Sequence, residues 1–157
     1  MTRNFLTWLK ERFIKAALYS DLRGISLFEN LNDHDLKLVY DYLHKREFKA
    51  GEIIFEEEFP QEVIYFIAQG EVQLDGLFFG DKSRILKENQ FIGLIDIFGK
   101  GRRLSSARAL TNVRLLALQE SDFWDLVQKK PSLGVKLLKA CCQELGNYII
   151  DTVKEKR

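Results

Sequence analysis

Gly51-Glu52-Ile53-Ile54-Phe55, answered downstream by Gly70-Glu71-Val72-Gln73-Leu74 and then by the basic pair Arg102-Arg103, decides how this chain folds. β-Branched and aromatic residues fill 52–55 and again 62–68 (Glu-Val-Ile-Tyr-Phe-Ile-Ala). Runs of that length and chemistry are buried or half-buried strands, not helices. Gly51 precedes one run and Gly70 follows the other, where a residue without a Cβ takes positive φ and turns the chain tightly. Further runs at 72–74, 77–79, 83–86, 104–109 and 113–118 are separated by Gly, Asp, Asn or Lys. Such spacing predicts an antiparallel barrel or jelly roll over residues 48–119.

Helical patterns flank the strands. Over residues 4–19 the apolar positions Phe5, Leu6, Leu9, Phe13, Ala16 and Ala17 recur at three- and four-residue steps among Arg3, Lys10, Arg12 and Lys15, the pattern of a basic amphipathic helix. Such a helix, carrying Trp8, covers an apolar patch of its own domain or of a partner; an anionic membrane surface is the lesser alternative. A second helix is expected over 32–45, capped by Asn32 or Asp33, with Leu36, Val39, Tyr40 and Leu43 on one face. The C-terminal helix opens at Pro131, a first-turn position. Along it Val135, Leu138, Cys142, Leu145, Ile149 and Thr152 alternate three- and four-residue steps, the seam of a short coiled coil and hence a candidate homodimer contact. Leu137, Cys141 and Tyr148 form a second apolar face, so the same helix is equally able to pack on its own barrel.

The order Leu-Phe-x-x-Leu at 27–31, Phe48-Lys49-Ala50-Gly51-Glu52, Ile64-Tyr65-Phe66-Ile67, Gly70-Glu71-Val72, Phe91-Ile92-Gly93 and Arg103 resembles the cyclic-nucleotide-binding domain family, the β-roll of catabolite-activator-type regulators, kinase regulatory subunits and cyclic-nucleotide-gated channels. The likeness runs from about residue 24 to about 145. It implies a fold that is mainly β with helical flanks: a double-stranded β-helix, or jelly-roll-like β-roll, with N-terminal helices and a long C-terminal helix. Three segments follow: an N-terminal amphipathic helix over 1–23, the β-roll over 24–130, and a lid or dimerisation helix over 131–157.

The resemblance also implies a phosphate-binding cassette, in which backbone N–H groups and one arginine hold a cyclic phosphate while a glutamate accepts from the ribose hydroxyl. Gly93 fits the cassette glycine, but Leu94 stands where the glutamate is expected and accepts no hydrogen bond. Asp96 is the nearest substitute. Arg103 follows Gly93 at close to the family spacing, with Arg102 beside it as a rival. Leu104 departs from the small residue that usually follows, although Ser105, Ser106 and Ala107 are small. The Glu-Gly-Asp with which the family ends one upstream strand reads Glu57-Glu58-Phe59 here, without its turn glycine. The candidate ligand-binding set is therefore Gly93, Leu94, Ile95, Asp96, Arg102, Arg103, Leu104 and Ser105, with Tyr148 as a base-stacking lid from the C-terminal helix. The candidate dimer set is Val135, Leu138, Cys142, Leu145 and Ile149.

Composition narrows the function classes. With 157 residues and 46% hydrophobic content the chain suits one compact domain with helical extensions. Balanced charge, 24 basic against 23 acidic residues, lacks the basic footprint of a nucleic-acid binder, and after the C-terminal helix no length is left for a helix-turn-helix. No run of eighteen apolar residues and no apolar leader is present, so a cytoplasmic protein is expected. Adjacent Cys141 and Cys142 point about 100° apart on a helix and are read as reduced thiols. His34 and His44 both fall in the helix expected ahead of the strands, which leaves no histidine for a metal inside the barrel. Glu56, Glu57 and Glu58 alternate faces if extended and form no acid–base pair. The expectation is a non-catalytic regulatory module needing no cofactor, with a cyclic nucleotide (cAMP or cGMP) or another small anion as ligand and a homodimer partner and a separate effector protein as listeners. The alternative is a degenerate β-roll kept as a scaffold, its old pocket filled by Leu94 and Leu104.

Overall fold

The computed structural model describes residues 19–76, 83–99 and 101–155. Residues 19–23 are helical and lead through a 3₁₀ turn, Ser26–Phe28, to helix α1, Asp33–Tyr40. Asn32 caps α1, its side chain accepting from the Asp35 N–H at 2.9 Å. Among the described residues eight strands follow: β1 (His44–Phe48), β2 (Ile53–Phe55), β3 (Val63–Gln69), β4 (Val72–Asp75), β5 (Arg84–Leu86), β6 (Phe91–Ile92), β7 (Ser106–Ala109) and β8 (Val113–Gln119). Helix α2 (Leu94–Gly99) interrupts them between β6 and β7, and α3 (Glu120–Lys129) and α4 (Pro131–Glu155) close the chain. The strands form two antiparallel four-stranded sheets, ordered β1-β8-β3-β6 and β2-β7-β4-β5. This is the expected mainly-β jelly-roll-like core between N-terminal helices and a long C-terminal helix.

The central strands β3 and β8 of the first sheet are buried on both faces, which explains why they read as nearly continuous apolar runs rather than as alternating ones. Ile64 and Phe66 of β3 and Leu116 and Leu118 of β8 join Leu22, Phe28, Leu36, Phe123, Leu126, Leu133 and Leu137 in a core between sheet and helices. Their strand neighbours Ile67, Val113 and Leu115 turn the other way and meet Val72, Leu74, Leu86, Ala107 and Ala109 of the second sheet. Each large side chain removed from water in this way contributes about 1.5–3 kcal/mol.

Three sequence expectations change. Helix α1 ends at Tyr40, well short of residue 45, and His44 belongs to β1, where its ring lies 3.4 Å from Asp122. The barrel therefore begins at His44, ahead of residue 48. Strand β1, His-Lys-Arg-Glu-Phe, is mostly exposed and is held by pairing with β8, including Glu47 opposite Arg114; a charged edge strand has no apolar alternation to announce it. Helix α3 was not anticipated. The strand expected at 77–79 and the amphipathic helix over residues 4–18 lie outside the described residues. Gly51 and Gly70 do take positive φ, 90° and 92°.

Helix α4 shows two faces. Leu133, Leu137, Ala140 and Cys141 are buried in the main core, and Gly134 sits so close to α3 that a Cβ there would lie 2.9 Å from the Val127 carbonyl. Lys136 adds an ion pair to Asp35 of α1 at 2.6 Å. On the other face Val135, Cys142, Ile149, Ile150 and Val153 are exposed, with Leu138 and Leu145 half-buried between the two. The cysteines divide accordingly: both are free thiols, and burial pushes Cys141 up to about 12, so it stays protonated at neutral pH.

Candidate functional site

The cassette is built where β6 hands the chain to α2 and where α2 returns it to β7. Gly93 makes the first turn at φ +98°, in the region that L side chains avoid, and it is also sterically committed. A Cβ at this position would stand 2.9 Å from both Arg103 Nη1 and the Val63 carbonyl oxygen, and 3.3 Å from Gln61 Nε2. The glycine thus lets a guanidinium approach the backbone at the start of α2.

Arg103 is brought there by backbone pairing on both sides. Its N–H donates to the Phe59 carbonyl at 2.9 Å, its carbonyl accepts from the Glu58 N–H at 3.0 Å, and the neighbouring Arg102 bridges to Pro60. Glu58, where the resemblance implies a turn glycine, takes φ +68°, the left-handed region that a side chain enters only with strain. The side chain of Arg103 is 3% exposed. Its guanidinium donates from Nη2 to the Val63 carbonyl at 3.0 Å and lies 4.0 Å over the Phe55 ring, which stacks in turn on Tyr65. Arg102, by contrast, is exposed, with Nη1 donating to the Glu58 carbonyl at 3.0 Å. Of the two rival arginines, Arg103 points inward and Arg102 holds the turn.

Arg103 lies in the wall of an open hollow of about 460 Å³, lined also by Ile54, Phe55, Phe59, Val63 and Tyr65, with Glu56 and Glu62 at its rim. The arrangement combines a fixed cation with flat apolar surfaces, which is suited to an anion joined to a planar or apolar body. Among the described residues no group of three or more His, Cys, Asp or Glu is gathered for a metal ion, and no helix is long and apolar enough to cross a membrane.

The other sequence-selected residues divide between this hollow and elsewhere. Leu94 is 4% exposed and belongs to the main hydrophobic core, together with Ile97 of the same helix. Ile95 is half-buried on α2; Asp96 lies in α2 with its side chain outside the described set. Leu104 is 45% exposed, which overturns the idea that Leu94 and Leu104 plug the hollow: one has joined the core, the other faces water. Ser105 is buried, and the next residue, Ser106, accepts the Glu57 N–H at 2.9 Å. Tyr148 is half-buried on α4 and does not line the hollow, which is bounded by β2, β3, their connecting loop and Arg103. Sequence reasoning missed Phe55 as the platform under Arg103 and Gln61 as the neighbour of Gly93. A Glu-Phe-Pro-Gln-Glu loop gives no local sign of either contact.

Comparison with known proteins places this geometry. Residues 45–130, more than half of the chain, match the family model described as the cyclic nucleotide-binding domain. The chain belongs to this family. A Rhodopseudomonas palustris protein named as a potassium channel is 29% identical over 121 residues, covering 76% of this chain and 29% of that protein. The Cyclic AMP receptor protein of Thermus thermophilus is 26% identical over 127 residues, covering 79% of this chain and 59% of that one. Among solved structures, the N-terminal domain of a transcriptional regulator from Streptomyces coelicolor A3(2) matches with a TM-score of 0.70 and 26% identity, covering 82% of this chain and 94% of that chain. The chain thus spans less than two thirds of the length of these two curated relatives.

Proposed function

We propose that this chain is a non-catalytic sensor in which Arg103, beside the Gly93 turn, receives the phosphate of a cyclic nucleotide or of another small anionic ligand. The observation that carries the reading is the Arg103 guanidinium itself, 3% exposed yet in the wall of a hollow, held by Phe55 and the Val63 carbonyl. A rigid planar guanidinium, fixed by its surroundings in the wall of a hollow, is the group best suited to phosphate oxygens. Gly93, Ile95, Asp96, Arg103 and Ser105 would form the cassette, with Arg102 bracing the turn behind it. Ligand binding would draw α2 inward and bias α4, whose first turns pack on the same core as Leu94 and Ile97. The exposed stripe of Val135, Cys142 and Ile149, with Leu138 and Leu145 at its edge, supports α4 as the contact to a second copy; a separate effector protein would read the shift. Free thiols at Cys141 and Cys142 support the cytoplasm as compartment.

Isothermal titration with cAMP, cGMP and cyclic dinucleotides, on the wild type and on Arg103→Ala, tests the reading. The wild type should bind at least one nucleotide, and the variant, folded by its melting curve, should bind it roughly 10- to 100-fold more weakly, as expected when a charge-assisted hydrogen bond is lost. A second reading rests on Leu94. A leucine sunk in the core offers nothing to a ribose hydroxyl, which favours a β-roll kept as a dimerisation scaffold. Silence toward every nucleotide, with a dimeric mass in solution, would decide for the scaffold.

A further inference from the structure

Gln61 is the least expected polar residue of the site. It is 5% exposed, and its Nε2 donates to the Gly93 carbonyl at 3.1 Å. That bond fixes the orientation of the amide, because only the nitrogen end donates. The other end, Oε1, is closed off from solvent and has no hydrogen-bond partner among the described residues. Folded proteins rarely keep a buried amide oxygen unsatisfied, since it forfeits its hydration with no return. Packing alone would be served better by methionine or leucine at this position. The Gly93 hydrogen bond accounts for the nitrogen and leaves the oxygen unexplained.

Gln61 lies behind the wall of the hollow, not among its lining residues, with its amide beside the Gly93 turn. Pro60 and Glu62, on either side of Gln61 in the chain, both line the hollow. Gly93 is the meeting point: a Cβ on it would stand 2.9 Å from Arg103 Nη1 and 3.3 Å from Gln61 Nε2, so the cation and the amide flank the same backbone unit. The next residue, Leu94, is committed to the core and offers no acceptor.

We infer that Gln61 is the specificity-determining acceptor of this site, taking the hydrogen of a ligand hydroxyl adjacent to the anion that Arg103 holds. The inference rests on the reading of Arg103 as the anion receptor and narrows the ligand class. Inorganic phosphate or a simple carboxylate supplies the anion alone. A nucleoside 3′,5′-cyclic phosphate with a free 2′-hydroxyl carries the anion and the donor on one rigid ring. An amide also has an advantage over a carboxylate here, because a neutral acceptor adds no repulsion toward the nearby phosphate.

The test is the affinity of the whole chain for cAMP and for 2′-deoxy-cAMP by isothermal titration, with cGMP and its 2′-deoxy analogue run in parallel, on the wild type and on Gln61→Met. The wild type should prefer the ribonucleotide by about tenfold, the scale of one buried hydrogen bond. In Gln61→Met the preference should fall to within about twofold by the same reasoning. The wild-type ratio needs no substitution and holds as a test even if the variant does not fold. Equal affinity of the wild type for both members of each pair overturns the inference while leaving the Arg103 reading intact. So does a variant that weakens both members alike and keeps the ratio, because that is the signature of Gln61 merely holding the Gly93 carbonyl. No binding by any of the four nucleotides overturns this inference, and the Arg103 reading falls with it only if the cyclic dinucleotides are silent as well.

Discussion

Where the segment between β6 and β7 ends, Arg103 lies 4.0 Å over Phe55 with its guanidinium against Gly93; where it begins, Leu94 joins Ile97 and Phe123 in the core beneath the helices. Both side chains are almost fully buried, 3% and 4% exposed. Burial alone therefore does not distinguish a functional position from a structural one; the partners do. At Arg103 the surroundings are a carbonyl, an aromatic face and an open hollow. At Leu94 they are the aliphatic and aromatic side chains of the main core. Under the proposed reading, the Arg103 end would receive the anion, while Leu94, where a sugar-reading group is expected, belongs to the domain's own core.

The most severe way to break this contrast is to restore a carboxylate at the core end. Leu94→Glu should lower stability by about 3–5 kcal/mol, because the new charge has no partner and no water. Urea denaturation followed by tryptophan fluorescence would register it, Trp124 being packed edge-on to Phe123 and Phe98 near the same core. A variant that unfolds at the wild-type midpoint and binds cAMP more tightly would mean that position 94 reaches the ligand and that the two ends of the segment are alike.

Between the two ends lies a turn whose strain can be released. Glu58 holds φ +68°, and its backbone N–H and carbonyl meet Arg103 and Arg102. A left-handed conformation costs a non-glycine residue about 1–2 kcal/mol, part of which is offset by the greater freedom that glycine loses on folding. Glu58→Gly should therefore raise stability by about 1 kcal/mol, a shift of roughly 2–4 °C in Tm for a chain of this size. It should leave nucleotide affinity unchanged. A loss of stability would show that the glutamate side chain contributes more than its backbone costs, and the turn would then have to be counted with the ligand-reading machinery.

How far the sequence disclosed this contrast depended on the range of the contacts involved. Strands β3 and β8 were legible because apolar residues on both faces leave a run such as Val63–Gln69 that no surface helix would carry. Strand β1 was hidden by its exposed charges. Gly93 and Arg103, selected by their order and spacing, lie side by side in the fold. The fate of Leu94 was not legible, since a leucine in that position is compatible with a plugged pocket or with a core, and only the placement of α2 against Phe123 and Leu137 decides between them. Gln61 was invisible for the same reason: its amide acquires meaning from Gly93, a contact made by folding a loop after β2 onto the end of β6.

The finest test of the comparison is between neighbours. Arg102 and Arg103 carry the same charge, and before the fold was known they were rivals for the same anion. Their surroundings now separate them: Arg102 is exposed and spends Nη1 on the Glu58 carbonyl, a contact in water worth about 0.5 kcal/mol. Arg102→Ala should change stability by no more than about that amount and shift nucleotide affinity by less than about twofold, the residual coming from a screened charge outside the site. If titration instead showed Arg102→Ala to be as damaging as Arg103→Ala, the inward and outward arginines would be acting as a pair, and the hollow's selectivity would have to be assigned to the whole 58–60 turn together with the two residues it holds.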